Sequence, residues 1–424
     1  MFHIETKNLK ESEFAMITIL KNGNVVTMET ESVLHKTDIM IEDGRIIEIG
    51  VDLESDGSKI IDCTDYYITP GLFDMHSHIL SSDMFNLYLS NGVTAIRNMW
   101  GAPLMKEWEN DIKNGTLLGP SIFSTNPLTD GLEFWKGAVI IKTEQDVLNC
   151  VKDAVTQDYK YIKTYPDIPR DLFILLMNEA KKADIKVVGH GNRNVSPKEL
   201  ADLGYYSLEH ATLLPKDPED VKYLAESGMW HCPTFVVCWG LVKSAQQDDN
   251  LTSMEFYEYV NKREQKDWQE IIEFLRKSPR MKTINMEEQI DLAKVFAKHS
   301  DKILLGTDNT NPGSITGFGI HEELGFLVRH LEFTPYQAIK AGTWNAAKNL
   351  EMLDDYGSVS AGKVADLLVV KDNPLKDVGN MKNIEYVITK GKVLTKDNLQ
   401  QMLDEVFNMS PDEIVFAFDN EILG

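Results

Sequence analysis

Eight short apolar runs, separated by helix-like stretches, fill the middle of this 424-residue chain and limit its fold more than any other feature. They lie at 68–78, 93–99, 121–125, 161–165, 186–192, 207–211, 230–237 and 303–308. Helical periodicity fills most of the gaps, as at 172–182 and 287–298. Strands that alternate with helices pair in parallel, because each helix carries the chain back across the sheet. Repeated over this length, the pattern predicts an α/β fold with a (β/α)8 TIM barrel across residues 68–356. The gap at 241–301 is too long for one loop-helix unit. Its aromatic and charged content (Phe256, Tyr257, Tyr259, Trp268, Phe274) predicts added helices rather than disorder.

The two chain ends read differently. Runs at 17–20, 24–27, 38–41 and 45–49 are short strands punctuated by Asn22-Gly23 and Asp43-Gly44 turn signals. The same style returns at 365–370 and 384–389, followed by Lys390-Gly391. This predicts a small β-sandwich domain built from both ends, residues 16–67 and 357–397. Residues 1–15 are expected to be an N-terminal extension and 398–424 a C-terminal helical tail, amphipathic and without an assignable role.

A net charge of −23 repels phosphate backbones and anionic lipids, so nucleic acid and membranes are not the expected partners. A small-molecule substrate is expected, and a homo-oligomer is left open. Cys63, Cys150, Cys232 and Cys238 are scattered, which fits buried free thiols and no disulfide framework. The N-terminus lacks a signal-peptide pattern, and no run reaches the ~20 apolar residues that span a bilayer. A cytoplasmic protein is the expectation.

Chemistry-bearing residues gather where such strands end. His76-Ser77-His78 closes the first run, and its imidazoles share a face because strand side chains alternate. Lys163 lies near the end of the fourth run, His190 in the fifth, His210 in the sixth, and Asp308 closes the eighth. Any one of these is ordinary alone, since isolated histidines are usually structural and strand-end lysines solvated. Together, at the face where barrels build active sites, they read as a metal centre.

This arrangement resembles the amidohydrolase superfamily, in its imidazolonepropionase-related and prolidase-like branch. The resemblance runs from about Met16 to Thr395. It rests on Pro70-Gly-Leu-Phe-Asp-Met-His-Ser-His78, on the placement of Lys163, His190, His210 and Asp308, and on Thr334-Pro335, Ala341-Gly-Thr-Trp-Asn-Ala-Ala347, Gly362-Lys363 and Ala365-Asp366. It implies two divalent metal ions, zinc being the expected metal. His76, His78 and Asp308 would hold one, and His190 and His210 the other. Lys163, carboxylated by CO₂, would bridge them together with a hydroxide. An ammonium cannot ligate a cation, so Lys163 is a ligand only in that modified form. The implied reaction is cleavage of an amide C–N bond, prolidase-like, on dipeptides or N-acyl amino acids. Asp308 would be the catalytic residue that takes the proton and hands it to the leaving nitrogen.

Other residues have weaker roles. Glu209 faces away from His210 on an ideal strand and is expected to support the site rather than to ligate. His231 opens its run and is left out of the metal set. Tyr165, Asn192, Arg193 and His321 are candidate substrate-binding residues, Arg193 as a partner for a substrate carboxylate. Trp100 and Trp135 lie in strand-end loops and suit an apolar or aromatic acyl part. Three alternatives stay open: a binuclear enzyme acting on a lactone or phosphoester, a mononuclear cyclic-amide hydrolase or deaminase, and a barrel that binds without catalysis.

Overall fold

A computed structural model describes residues 17–133, 135, 137–247 and 251–418. The expected extension at 1–15 lies outside them, as do residues 419–424 of the C-terminal tail.

Strands from both chain ends share one eight-stranded sheet. Its order is Lys392–Thr395, Ile384–Thr389, Leu367–Val370, Tyr67–Pro70, Thr18–Val26, Val33–Glu42 and Arg45–Gly50, with Lys59–Asp62 paired to Thr18–Val26. The seam between the two ends is antiparallel, with Leu368 opposite Thr69. Two hairpins close on paired left-handed residues, Asp43-Gly44 (φ 46° and 77°) and Lys390-Gly391 (φ 48° and 78°). That geometry matches the twist of the flanking strands and favours glycine at the second position. Leu20, Val25, Ile39, Ile68, Leu367, Val369 and Ile388 form a core under the sheet.

The expected strand at 68–78 is two strands. Tyr67–Pro70 belongs to the terminal sheet, and Leu72–Ser77 opens the parallel part. Gly71 is the crossing point, where a Cβ would sit 2.1 Å from Thr94 Oγ1. Leu72–Ser77, Val93–Asn98 and Ser121–Ser124 form one parallel sheet. A second contains Val139–Ile140, Thr129–Asp130, Tyr161–Thr164, Lys186–Gly189, Ser207–Glu209 and Trp230–Cys232 in that order. A parallel bridge between Thr125 and Tyr161 joins the two.

Residues 303–308 run between the outer strands. Ile303 bridges His231, while Leu305 O accepts from Met75 N (2.8 Å) and Asp308 N donates to His76 O (2.7 Å). Only a bridge at Ile303 is regular here, although a full strand was expected. Gly306 shows why the approach is close: a Cβ there would meet His76 N at 2.6 Å and Cys232 Sγ at 2.5 Å. The result is an α/β fold with parallel sheets, consistent with a TIM barrel.

The run at 230–237 is also shorter than its apolar pattern suggested. Strand Trp230–Cys232 stops, Thr234 turns left-handed (φ 45°), and helix Phe235–Gln246 begins. Glu323 fixes that start by accepting from Phe235 N (2.9 Å) and Val236 N (2.7 Å), so a buried carboxylate caps a helix N-terminus. A short apolar run cannot by itself distinguish a buried strand from a buried helix. The long gap does hold helices, Lys262–Lys277, Pro279–Thr283 and Met286–His299. Trp268 ties the first of these to the segment that follows Asp308 by donating from Nε1 to Thr310 O at 2.9 Å. Among the described residues no helix is long and apolar enough to cross a membrane. All four cysteines are free and buried.

Candidate metal centre

The six candidate ligands follow from strand-end geometry. His76 lies within strand Leu72–Ser77, and His78 sits just beyond its end on the same face. Lys163 is fully buried in strand Tyr161–Thr164, with its backbone N–H held by Asn126 Oδ1 at 2.9 Å. His190 and His210 each follow the last residue of their strands. His210 (φ 67°) and Asp308 (φ 50°) both adopt left-handed backbone, as does Thr234 (φ 45°) beside His210. Such conformations cost on the order of 1 kcal/mol each for non-glycine residues and cluster at functional sites.

The side chains meet. One donor atom each from His76, His210 and Asp308 lies within 4.8 Å of the others. His78 Nε2 is 2.8 Å from Asp308 Oδ1, and His210 Nδ1 is 3.6 Å from Asp308 Oδ2. His210 Nε2 faces His190 Nε2 at 3.0 Å, and Lys163 Nζ lies 3.2 Å from His76 Nε2.

Electrostatics set the charge state of these groups. Burial holds the His76 and His190 imidazoles well below the usual histidine range and His210 at about 4, so all three are neutral with a free lone pair. Burial brings the Lys163 amine down to about 8, against the opposing pull of Glu209 and Asp308. For Asp308, burial works upward, but His210 and the hydrogen bond from His78 outweigh it and keep the carboxyl below its usual range. The donor set fits divalent cations: neutral imidazoles and an ionised carboxylate converge in a buried site.

Behind the ligands stands a polar layer that the sequence shows only in part. His76 Nδ1 donates to Glu209 Oε2 at 2.9 Å, which fixes the tautomer and leaves Nε2 unprotonated, facing Lys163 Nζ. Glu209 Oε1 accepts from Arg97 at 2.8 Å and from Ser207 Oγ at 2.6 Å. Arg97, fully buried, also donates to Met75 O (2.7 Å) and Asn349 Oδ1 (3.2 Å). Asp74 accepts from Thr307 N, Thr307 Oγ1 and His76 N. Reading the sequence overlooked Arg97 and Asp74, yet a signal existed. Each is a charged residue inside an otherwise apolar strand, and such a residue must find a partner.

The loop candidates separate. Tyr165 stacks on His190 with ring centroids 4.0 Å apart, so it borders the site. Asn192 is buried with its amide engaged by backbone, donating to Ile168 O of the loop after Tyr161–Thr164 and accepting from Asn194 N. Arg193 is held by Asp167 at 2.9 Å with more than half of its side chain exposed. His321 opens helix Gly319–Leu331, where Asn91 and Lys382 are its polar neighbours, and the structure does not bring it to the ligands. His231 stays outside as well. Its Nδ1 donates to Leu208 O, and its ring packs on Phe296.

Comparison with known proteins shows the family and the fold. A family model described as the amidohydrolase family matches residues 139–394. An adenine deaminase of Clostridium botulinum (strain 657 / Type Ba4) is 25% identical over 401 residues, covering 90% of this chain and 57% of that protein. The chain therefore spans little more than half the length of such relatives. A D-hydantoinase of Geobacillus stearothermophilus is 38% identical over 64 residues, 15% of this chain and 13% of that one. Among solved structures, a Xaa-Pro dipeptidase with methionine in its active site superposes with a TM-score of 0.72 at 21% identity, covering 89% of this chain and all of that one. A bottromycin amidohydrolase gives 0.74 at 21% identity, covering 95% and 93%. At such identities these two likenesses show a shared fold. The family match extends over more than half of the sequence and includes Lys163, His190, His210 and Asp308: the chain belongs to the amidohydrolase family.

Proposed function

We propose that this protein is a metal-dependent hydrolase that cleaves an amide C–N bond, with dipeptides or N-acyl amino acids as substrates. The observation that carries this is the convergence of His76, His210 and Asp308 donor atoms within 4.8 Å in a buried site, with Lys163, His78 and His190 around them. On this reading the parallel strands from Leu72 onwards close a (β/α)8 barrel, and the terminal sheet, which includes Tyr67–Pro70, belongs to a β-sandwich built from both chain ends.

His76, His78, His190, His210, Asp308 and a carboxylated Lys163 would hold two divalent ions, zinc being the expected metal. Bound there, such ions lower the pKa of a water and polarise a carbonyl. The chain's own residues supply the rest. Asp308, ionised at neutral pH, accepts the proton of the attacking water and passes it to the leaving nitrogen. Glu209 and Arg97 hold His76 in a single tautomer. The Lys163 amine, at about 8, is neutral often enough near physiological pH to react with CO₂. Arg193 would meet a substrate carboxylate, in exchange for Asp167.

A mononuclear deaminase is the second reading, favoured by the likeness to adenine deaminase over 90% of this chain. Lys163 separates the two. Metal analysis, NMR of protein grown with isotopically labelled bicarbonate, and a panel of Xaa-Pro dipeptides, N-acyl amino acids and adenine test both together. Two metals, a labelled Lys163 carbamate and amide hydrolysis are expected. One metal, an unmodified Lys163 and adenine turnover would establish the deaminase instead.

A further inference from the structure

The C-terminal segment returns to the candidate metal centre. Helix Lys396–Asn408 buries Leu399, Met402 and Val406, and Leu399 O accepts from Ser90 Oγ of helix Met84–Ser90. The chain then adds itself as a short antiparallel partner to the loop that follows His78. Ser81 bridges Phe416, Ser82 N donates to Val415 O (2.9 Å), and Ala417 N donates to Leu80 O (2.8 Å). Arg263, in the inserted helix, stacks over Phe416 (4.5 Å) and donates to Phe418 O (3.0 Å), which fixes the segment from its other side.

This route delivers Phe418 to the strand-end face. Its ring meets Trp100 with centroids 4.8 Å apart, and Trp100 stands edge-on to both His78 (6.2 Å) and Trp135 (5.7 Å). Trp135 meets Tyr165 (5.9 Å), which stacks on His190 (4.0 Å). A row of aromatic rings thus links two candidate ligands, and its outer member comes from a segment more than 300 residues later in the chain than His78. Phe418 is partly exposed. Trp100 is buried (5% exposed), and its Nε1–H has no acceptor among the described residues. A buried donor left without an acceptor is costly, so its persistence marks a place for one.

We infer that Trp100, Trp135, Tyr165 and Phe418 form a subsite for a planar aromatic group of the substrate, with Phe418 as its outer wall and Trp100 Nε1–H as donor to an acceptor on that group. This rests on the amide-hydrolase reading and names its substrate class: amides whose acyl part is aromatic, and best a heteroaromatic ring. The C-terminal segment is a specificity element of the site.

The test compares N-acetyl, N-benzoyl and N-pyridinecarbonyl amino acids on the metal-loaded enzyme. Phe418→Ala should raise KM for both aromatic substrates by about tenfold, as expected for loss of a ring contact. It should leave the acetyl substrate, kcat and metal content unchanged. Phe418→Leu, which keeps the apolar bulk, should fall between, and it serves if the alanine variant folds poorly. Trp100→Phe should raise KM for the pyridinecarbonyl substrate selectively. Equal KM changes for acetyl and aromatic substrates, or no change in either, would overturn the subsite. If the wild type cleaves none of the panel, tryptophan fluorescence decides. Quenching by N-benzoyl amino acids that is lost in Phe418→Ala supports the subsite and sinks the reaction. No cleavage and no quenching overturns both.

Discussion

His210 and His231 stand on neighbouring parallel strands, are both buried, and are both pushed down to about 4 by that burial. Nevertheless they belong to different layers. His210 lies one residue past its strand, where backbone turns left-handed and its Nε2 faces His190 across 3.0 Å. His231 lies inside its strand, with Nδ1 spent on Leu208 O and its ring against Phe296. Burial and perturbed ionisation are therefore shared by the strand-end layer and the strand interior. What separates them is the direction each side chain takes: the His231 ring is turned against Phe296 of helix Met286–His299, whereas the His210 ring faces His190.

The sharpest way to test this contrast is at Asp308. Asp308→Asn should lower kcat/KM by about a thousandfold, the scale of a lost proton acceptor, while the fold persists. A variant that keeps wild-type turnover would place the chemistry elsewhere. Next comes Arg97, which lies in the interior but serves the strand-end layer through Glu209. Arg97→Met leaves Glu209 buried without its cation and should cost about 3–5 kcal/mol in denaturant unfolding. A loss under 1 kcal/mol would show that the network carries little energy.

His231 provides the interior counterpart. Its folded pKa of about 4 lies below the ordinary histidine value, so the unfolded chain takes up the proton first as pH falls. Its contribution is complete above about pH 6.5 and is lost as pH falls towards 4, by up to about 3 kcal/mol. His231→Asn should flatten the acid side of the thermal-midpoint curve without changing metal content, whereas a metal loss would erase the distinction from His210. The smallest effect is expected at Arg193. Its half-exposed pair with Asp167 is worth about 1 kcal/mol or less. Arg193→Ala should leave stability nearly unchanged but raise KM several-fold for substrates with a free carboxylate; equal KM for amidated substrates would remove its assigned role.

The cluster around His76, His210 and Asp308 was legible because strand ends announce themselves. Apolar runs locate the ends, and the candidate ligand residues stand at or beside them in order. Elsewhere local pattern misled. The 230–237 run is mostly apolar, yet it breaks into strand and helix, with Glu323, some 90 residues away, capping the helix start. The run at 68–78 reads as one strand, but Gly71 passes it between two sheets. His321 looked like a pocket residue from its place after the eighth run, and helix Gly319–Leu331 turns it towards Asn91 instead.

The sequence by itself determined the alternation of strands and helices, the hairpin turns at both ends, and the residue types able to ligate a metal, because these depend on periodicity and on side-chain chemistry close along the chain. Only the tertiary structure decided that Glu209 and Arg97 lock His76, that Asn192 is spent on Ile168 of the neighbouring strand-end loop, and that Phe418 reaches Trp100. Those contacts join residues tens to hundreds of positions apart, and no local pattern encodes a distance that is set by the packing of the whole chain.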